Sequence, residues 1–107
     1  MSEQEITEGN KLIAEFMGGA IKGNIVTFNG GWENNNQHWI TGLQYHTSWD
    51  WLMPVYFKLR KIRLATSQRM MWGKYIGGIL QAISEEDNPL PVFRKAVLAI
   101  KWYNQNK

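Results

Sequence analysis

Apolar residues recur at helical spacing near the start of the chain and stop at Gly18-Gly19. Ser2 and Glu5 have the spacing of a capping box, in which each side chain accepts a hydrogen bond from the other residue's backbone N–H. The pattern predicts a first helix over about residues 7–18. Its apolar positions are Ile6, Leu12, Ile13, Phe16 and Met17.

The pattern becomes extended after the two glycines. Residues 25–28 are β-branched or aromatic and end at the turn signal Asn29-Gly30-Gly31, which predicts a short strand. Residues 31–37 contain three consecutive asparagines and predict an exposed loop. Residues 38–43 predict a second strand, so the whole region indicates a hairpin with a long loop.

A second helix is predicted to begin at Thr47 or Ser48. Either hydroxyl can serve as the N-cap, and Asp50 lies three residues after Thr47. A carboxylate at this position is favoured by the positive end of the helix dipole. Pro54 lies early in this helix, and a bend is expected near Met53. One apolar stripe comprises Trp51, Val55, Leu59 and Ile62.

A third helix is predicted after Asn88-Pro89, which has the form of a cap followed by a first-turn proline. It should extend to about Asn104. Its apolar face comprises Phe93, Ala96, Val97, Ile100 and Tyr103.

The pattern of residues 69–83 is compatible with one helix or with two strands. Their apolar positions can form a helical stripe, but Gly73 and Gly77-Gly78 are poor helix residues. A Gly-Gly pair between apolar segments is also typical of a hairpin turn, so two strands are preferred. The predicted fold class is therefore α+β, with a small antiparallel sheet of about four strands packed with three helices. A chain of 107 residues is predicted to form a single domain over 1–107.

Composition excludes several classes of site. The chain has no Cys, which excludes disulfides, thiolate metal sites and Cys nucleophiles and is typical of a reducing compartment. It has neither a signal-peptide pattern nor an apolar segment long enough to span a membrane. A cytoplasmic location, with no membrane partner, is predicted.

Charge is unevenly distributed, although the net charge is only +3. Between Asp50 and Glu85 there is no acidic residue, and this basic block suggests an anionic partner. The alternative is that these side chains only keep a helix face hydrated. The block contains Lys58, Arg60, Lys61, Arg63, Arg69 and Lys74.

Aromatic residues are concentrated in residues 45–55, which hold two of the six tryptophans and His46. Trp49 and Trp51 are two positions apart, so on a helix they point about 200° from each other. Trp51 continues the apolar stripe and is predicted to be core, which leaves Trp49 for a cleft, a subunit contact or ordinary half-burial.

No catalytic pattern is present. The sequence contains no phosphate-binding glycine loop, no His-Glu-x-x-His and no nucleophile elbow. His38, His46 and Asp50 could ligate a metal, but Asp50 is explained by the helix start, and His46 is more simply a structural histidine. We therefore predict no enzyme activity, no cofactor and no metal.

Four segments resemble a group of short uncharacterised proteins encoded in bacteriophage and bacterial genomes. They are residues 11–18, 45–55, 96–97 and 100–104, about a quarter of the chain. The sequence Trp-Asp-Trp-Leu-Met-Pro in the second segment is specific, whereas the sequence of the basic block differs from that of the group. The resemblance implies a phage accessory protein and transfers no activity and no site residue.

Two functions fit these observations. The first is sequestration of a small anionic nucleotide-type ligand, such as a cyclic nucleotide of host defence signalling, by aromatic stacking and cationic contacts within a homo-oligomer. The second is an inhibitor or adaptor that binds a host defence protein or its nucleic-acid site, as anti-CRISPR-like proteins do. Direct nucleic-acid binding is less favoured, because the net charge is small. The candidate ligand-binding residues are Trp39, Tyr45, His46, Trp49, Arg60, Lys61, Arg63, Arg69 and Lys74.

Overall fold

The fold was analysed in a computed structural model, which describes residues 2–28, 36–62, 64, 66–85 and 87–106. It divides into two compact units, Met1–Gln44 and Tyr45–Lys107. The expected α+β class is confirmed, but the described residues form four helices and three strands instead of three helices and about four strands. In chain order the elements are α1 Glu3–Phe16, β1 Ala20–Lys22, β2 Ile25–Phe28, β3 Asn36–Trp39, the 3₁₀ helix Ile40–Gly42, α2 Trp49–Arg60, α3 Thr66–Glu85 and α4 Leu90–Asn106.

Local sequence signals set both ends of α1. The Ser2 hydroxyl accepts a hydrogen bond from the backbone N–H of Glu5 at 3.1 Å and donates to the Glu5 carboxylate at 3.2 Å, so one half of the predicted capping box forms and the helix begins earlier than residue 7. At the other end, Gly18 adopts a φ of +94° and its N–H donates to the Glu15 carbonyl. The Gly19 N–H donates to the Ala14 carbonyl, which completes a Schellman motif.

The first unit also contains an antiparallel sheet in the order β1-β2-β3. The predicted strand over 25–28 is confirmed, whereas β1 was not predicted, because Ala20–Lys22 has too few residues to display an alternating pattern. The second strand is shorter than expected: it ends at Trp39, and the chain continues as a 3₁₀ helix. Asn36 and Gln37, predicted to lie in the loop, belong to β3, and the rest of the predicted turn and loop, residues 29–35, lies outside the described residues.

Residues 69–83 are helical, so the preferred prediction of two strands was wrong. They belong to α3, a 20-residue helix that packs mainly on α4. Trp72, Ile79 and Ala82 are buried along it, at a spacing that places them on one face. Burial of this face against α4 outweighs the cost of each glycine, roughly 1 kcal/mol relative to alanine.

The α3–α4 pair is antiparallel. Gln68, near the start of α3, donates a side-chain hydrogen bond to the carbonyl of Asn106 at the end of α4. The Trp72 and Trp102 rings stack with centroids 5.8 Å apart. The predicted start of α4 is confirmed, because the Asn88 side-chain oxygen accepts a hydrogen bond from the Leu90 N–H at 2.8 Å.

Helix α2 begins one residue after Ser48, as predicted, but the Ser48 side chain makes no capping hydrogen bond. Trp51 is half-buried and packs edge-to-face on Tyr45, so it is not the core residue that the stripe predicted. The bend near Met53 stays a prediction. The buried residues of α2 are Leu52, Val55, Tyr56 and Leu59.

None of the helices in the described ranges combines the length and the apolar character needed to cross a bilayer.

Candidate functional site

The relative directions of α2 and α3 determine which charged residues lie at the same end of the second unit. Trp49 and Met53, from the start of α2, line one cleft together with Ile83, from the end of α3. The two helices are therefore antiparallel neighbours, as expected for helices joined by a short connection. It follows that the end of α2 and the start of α3 lie at the opposite end of the unit.

Three of the predicted cationic residues lie towards that opposite end. Arg60 and Lys61 are exposed at the end of α2. Arg69, also exposed, donates from Nε to the Leu64 carbonyl oxygen at 3.2 Å, so its guanidinium group folds back onto the α2–α3 connection. Lys61 and Leu64 are three residues apart, and their Cα atoms are therefore within about 11 Å of each other. We call Arg60, Lys61 and Arg69 the basic end.

The basic end faces no acidic residue of its own helices. The second unit contains ten Lys and Arg residues and four Asp and Glu residues. The described acidic residues are Asp50, at the start of α2, and Glu85 and Asp87, at the end of α3 and just beyond it. The described acidic residues of this unit therefore lie away from the basic end, where the local potential is positive, while Arg94 and Lys95, near the start of α4, lie towards the acidic residues.

Tyr45 is a core residue and not a surface contact. Only 5% of it is exposed, and burial raises the pKa of its hydroxyl to about 12. The centroid of its ring lies 5.2 Å from the centroid of the Trp51 ring. Its aromatic surface is used in packing, and the prediction that Tyr45 contacts a ligand stays a prediction.

His46 packs against the protein interior. Its ring lies edge-on to Phe93, with 5.8 Å between the ring centroids, and desolvation lowers its pKa. This arrangement supports the structural role that the sequence suggested for His46 more than ligand contact.

We expect the stability of the protein to fall below about pH 6.5, the usual pKa of histidine, and His46 to account for part of the loss. The folded-state pKa of His46 lies below its unfolded value, so the unfolded chain takes up the proton first, and stability is lost until the pH passes the folded-state pKa. Melting temperatures measured between pH 7.5 and 5 should therefore drop less in His46→Gln than in the wild type. An equal drop in both proteins would contradict this prediction.

Trp49 lies far from the basic end. It is the first residue of α2 and Arg60 is the last, so the two are separated by about 16 Å along the helix axis at 1.5 Å per residue. Within one chain, Trp49 and the pair Arg60 and Lys61 therefore lie at opposite ends of the same helix, and ligand contact by each of them stays a prediction.

The other predicted residues are dispersed. Trp39 ends β3 in the first unit and is 65% exposed. Lys74 is exposed on α3, about one and a half turns beyond Arg69. Arg63 lies outside the described residues.

An aromatic cluster that the sequence analysis missed lies between α3 and α4. Trp102 stacks on Trp72, and the rings of Tyr75 and Tyr103 lie within 6 Å of one of these indoles. Trp72 is 6% exposed, and its indole N–H has no hydrogen-bond partner among the described residues. A helical interpretation of residues 69–83 would have indicated this cluster, since Trp72 and Tyr75 are three positions apart.

Within the described ranges, no three His, Asp or Glu side chains come together in a way that could hold a metal ion. Comparison with protein-family models, curated proteins and solved structures finds no match.

Proposed function

We propose that this chain is a non-catalytic binding protein whose basic end docks on an acidic protein surface. The observation that carries the proposal is the location of the exposed residues Arg60, Lys61 and Arg69 at the same end of α2 and α3, with Arg69 bonded to the Leu64 carbonyl between them. The neighbouring helices supply no acidic residue between positions 50 and 85 to neutralise them. Such a cluster favours encounter with a partner of opposite charge.

The apolar side chains around the basic end favour a protein partner over a nucleic acid. Phe57 is 47% exposed near the end of α2, and Met70 is 76% exposed beside Arg69 on α3. Aromatic residues, Met and Arg are enriched in protein–protein interfaces, whereas nucleic-acid surfaces are bound mainly through many phosphate contacts. In a phage setting, the partner would be a host defence protein in the bacterial cytoplasm that this protein inhibits or bridges.

Sequestration of a nucleotide-type ligand is a second candidate, and the aromatic cluster is the observation that favours it. Trp102 is half-buried and stacks on Trp72, which lies one helical turn from Arg69. Among the described residues, the Trp72 indole N–H has no acceptor. An aromatic ring beside a guanidinium group can stack on a base and bind a phosphate. This candidate replaces the stacking residues that the sequence suggested, and it retains the expectation of a homo-oligomer.

The variant Arg60→Gln/Lys61→Gln tests both candidates. We expect it to fold like the wild type, because both side chains are exposed, and to lose at least tenfold in binding. Tagged wild-type and variant proteins are compared in pull-downs from a bacterial lysate, with mass-spectrometric quantification of each captured protein. Native mass spectrometry with a panel of linear and cyclic nucleotides measures adducts and subunit number on the same samples.

Arg94→Gln/Lys95→Gln is the matched control, since it removes the same charge from exposed positions at the start of α4. An acidic protein captured by the wild type and by this control, and lost with Arg60→Gln/Lys61→Gln, supports docking. A nucleotide adduct with the same dependence supports sequestration instead. If capture and adducts are unchanged in the α2 variant, the basic end only hydrates the surface and both candidates fail.

A further inference from the structure

A cleft lies at the end of the second unit opposite the basic end. Trp49 and Met53 of α2, Ile83 of α3 and Asp87 of the α3–α4 connection line it, and its volume is about 390 Å³. That volume is within the range of small-molecule sites, roughly 300–1,000 Å³. The cleft is open to solvent, so any occupant keeps one side in contact with water.

The lining has the chemistry of a site for an organic cation. An indole attracts a cation to its face through the negative charge of its π-system. The Met53 and Ile83 side chains provide apolar contact for alkyl groups, and the Asp87 carboxylate provides the opposite charge. The same carboxylate would repel a phosphate, so this cleft is distinct in chemistry from the basic end.

Among the residues that the structure describes, the groups that would hold the cation have no competing partner. Within the described residues, the Asp87 carboxylate forms no salt bridge and the Trp49 ring has no aromatic partner. Two more acidic residues, Asp50 and Glu85, are exposed at this end of the unit. The negative end of the α3 dipole is also favourable for a cation, and Asp50 counters the positive end of the α2 dipole.

We propose that this cleft binds a small organic cation with alkyl substituents, of the quaternary ammonium class. The trimethylammonium head contacts the Trp49 indole and the two apolar side chains, and Asp87 neutralises its charge. A quaternary ammonium ion is weakly hydrated compared with a primary amine, so it loses less solvation on contact with an indole. This proposal does not depend on the function assigned to the basic end.

A titration followed by NMR tests the site directly. The probe is choline, and the matched neutral compound is 3,3-dimethylbutan-1-ol, which has the same shape with carbon in place of the charged nitrogen. We expect choline at constant ionic strength to shift the Trp49 indole N–H and the Met53 methyl resonances in a saturable way. The neutral compound should bind at least threefold more weakly, because it lacks both the cation–π and the carboxylate contact.

Two variants make the test specific. Asp87→Asn should weaken choline binding about threefold and leave binding of the neutral compound unchanged, because an exposed ion pair contributes up to about 1 kcal/mol. Trp49→Leu should remove the saturable shift of the Met53 methyl. Glu85→Gln is the control: it removes a negative charge from the same end without changing the cleft lining, and it should lower affinity less than Asp87→Asn.

Three results would overturn the proposal. Equal affinity for choline and the neutral compound would mean that the cleft recognises only the apolar shape and not the positive charge. An unchanged affinity of Asp87→Asn for choline would mean that the carboxylate does not contribute to binding. Linear, non-saturating shifts in the wild type would mean that no site exists. The Asp87 variant keeps the test decisive even if Trp49→Leu unfolds, since Asp87 is exposed.

Discussion

Replacing Phe93 with alanine is expected to lower the free energy of unfolding by about 3–5 kcal/mol. Phe93 is completely buried on α4, and the His46 ring packs on it with centroids 5.8 Å apart. Truncation removes the apolar contacts of the ring and leaves a cavity that rigid neighbours fill only in part. Urea unfolding followed by circular dichroism measures the change.

Leu98→Ala is the matched control for Phe93, since Leu98 lies five residues further along the same helix and is 56% exposed. It should change the free energy of unfolding by no more than about 0.5 kcal/mol. A loss of less than 1 kcal/mol in Phe93→Ala would mean that this ring is not the centre of the core.

Replacing Gly19 with alanine is expected to lower the free energy of unfolding by about 1–3 kcal/mol. A Cβ atom at position 19 would lie 2.7 Å from the Val26 Cγ2 atom and 2.9 Å from the Ala14 carbonyl oxygen. The backbone oxygen cannot move without disturbing the Schellman motif, because it accepts the hydrogen bond from Gly19 itself. The strain therefore falls on the junction between α1 and the sheet.

Gly42→Ala is the control for Gly19, because a Cβ at position 42 meets no atom within 4 Å and the residue has an ordinary φ. It should leave the melting temperature almost unchanged. If Gly19→Ala melts at the wild-type temperature, the junction adjusts more easily than its contacts indicate.

Elements with local end signals were predictable from the sequence. Ser2 caps the start of α1 by accepting from the Glu5 N–H, and Asn88 caps the start of α4. In each case the side chain and the backbone groups that it satisfies are within a few residues of each other, so no distant contact is needed. The short strand Ile25–Phe28 was also recognisable from its β-branched composition.

The structure of α3 was not predictable in the same way. Gly73 and Gly77-Gly78 weigh against a helix locally, and burial of Trp72, Ile79 and Ala82 against α4 reverses that preference. This burial depends on a partner helix elsewhere in the chain. A pattern limited to neighbouring residues therefore ranked two strands above the helix.

For the candidate site too, some features follow from the sequence and others only from the tertiary structure. The sequence by itself determined the signs of the charges, the absence of acidic residues between Asp50 and Glu85 and the start of α2, because these depend only on residue identity and near neighbours. Tertiary structure decided that Arg69 lies at the same end as Arg60 and Lys61, that Tyr45 is buried and that Trp49 lies in a cleft with Asp87. The physical reason is that an antiparallel helix pair brings together residues far apart in the sequence, while a single helix of 12 residues holds its own two ends about 16 Å apart.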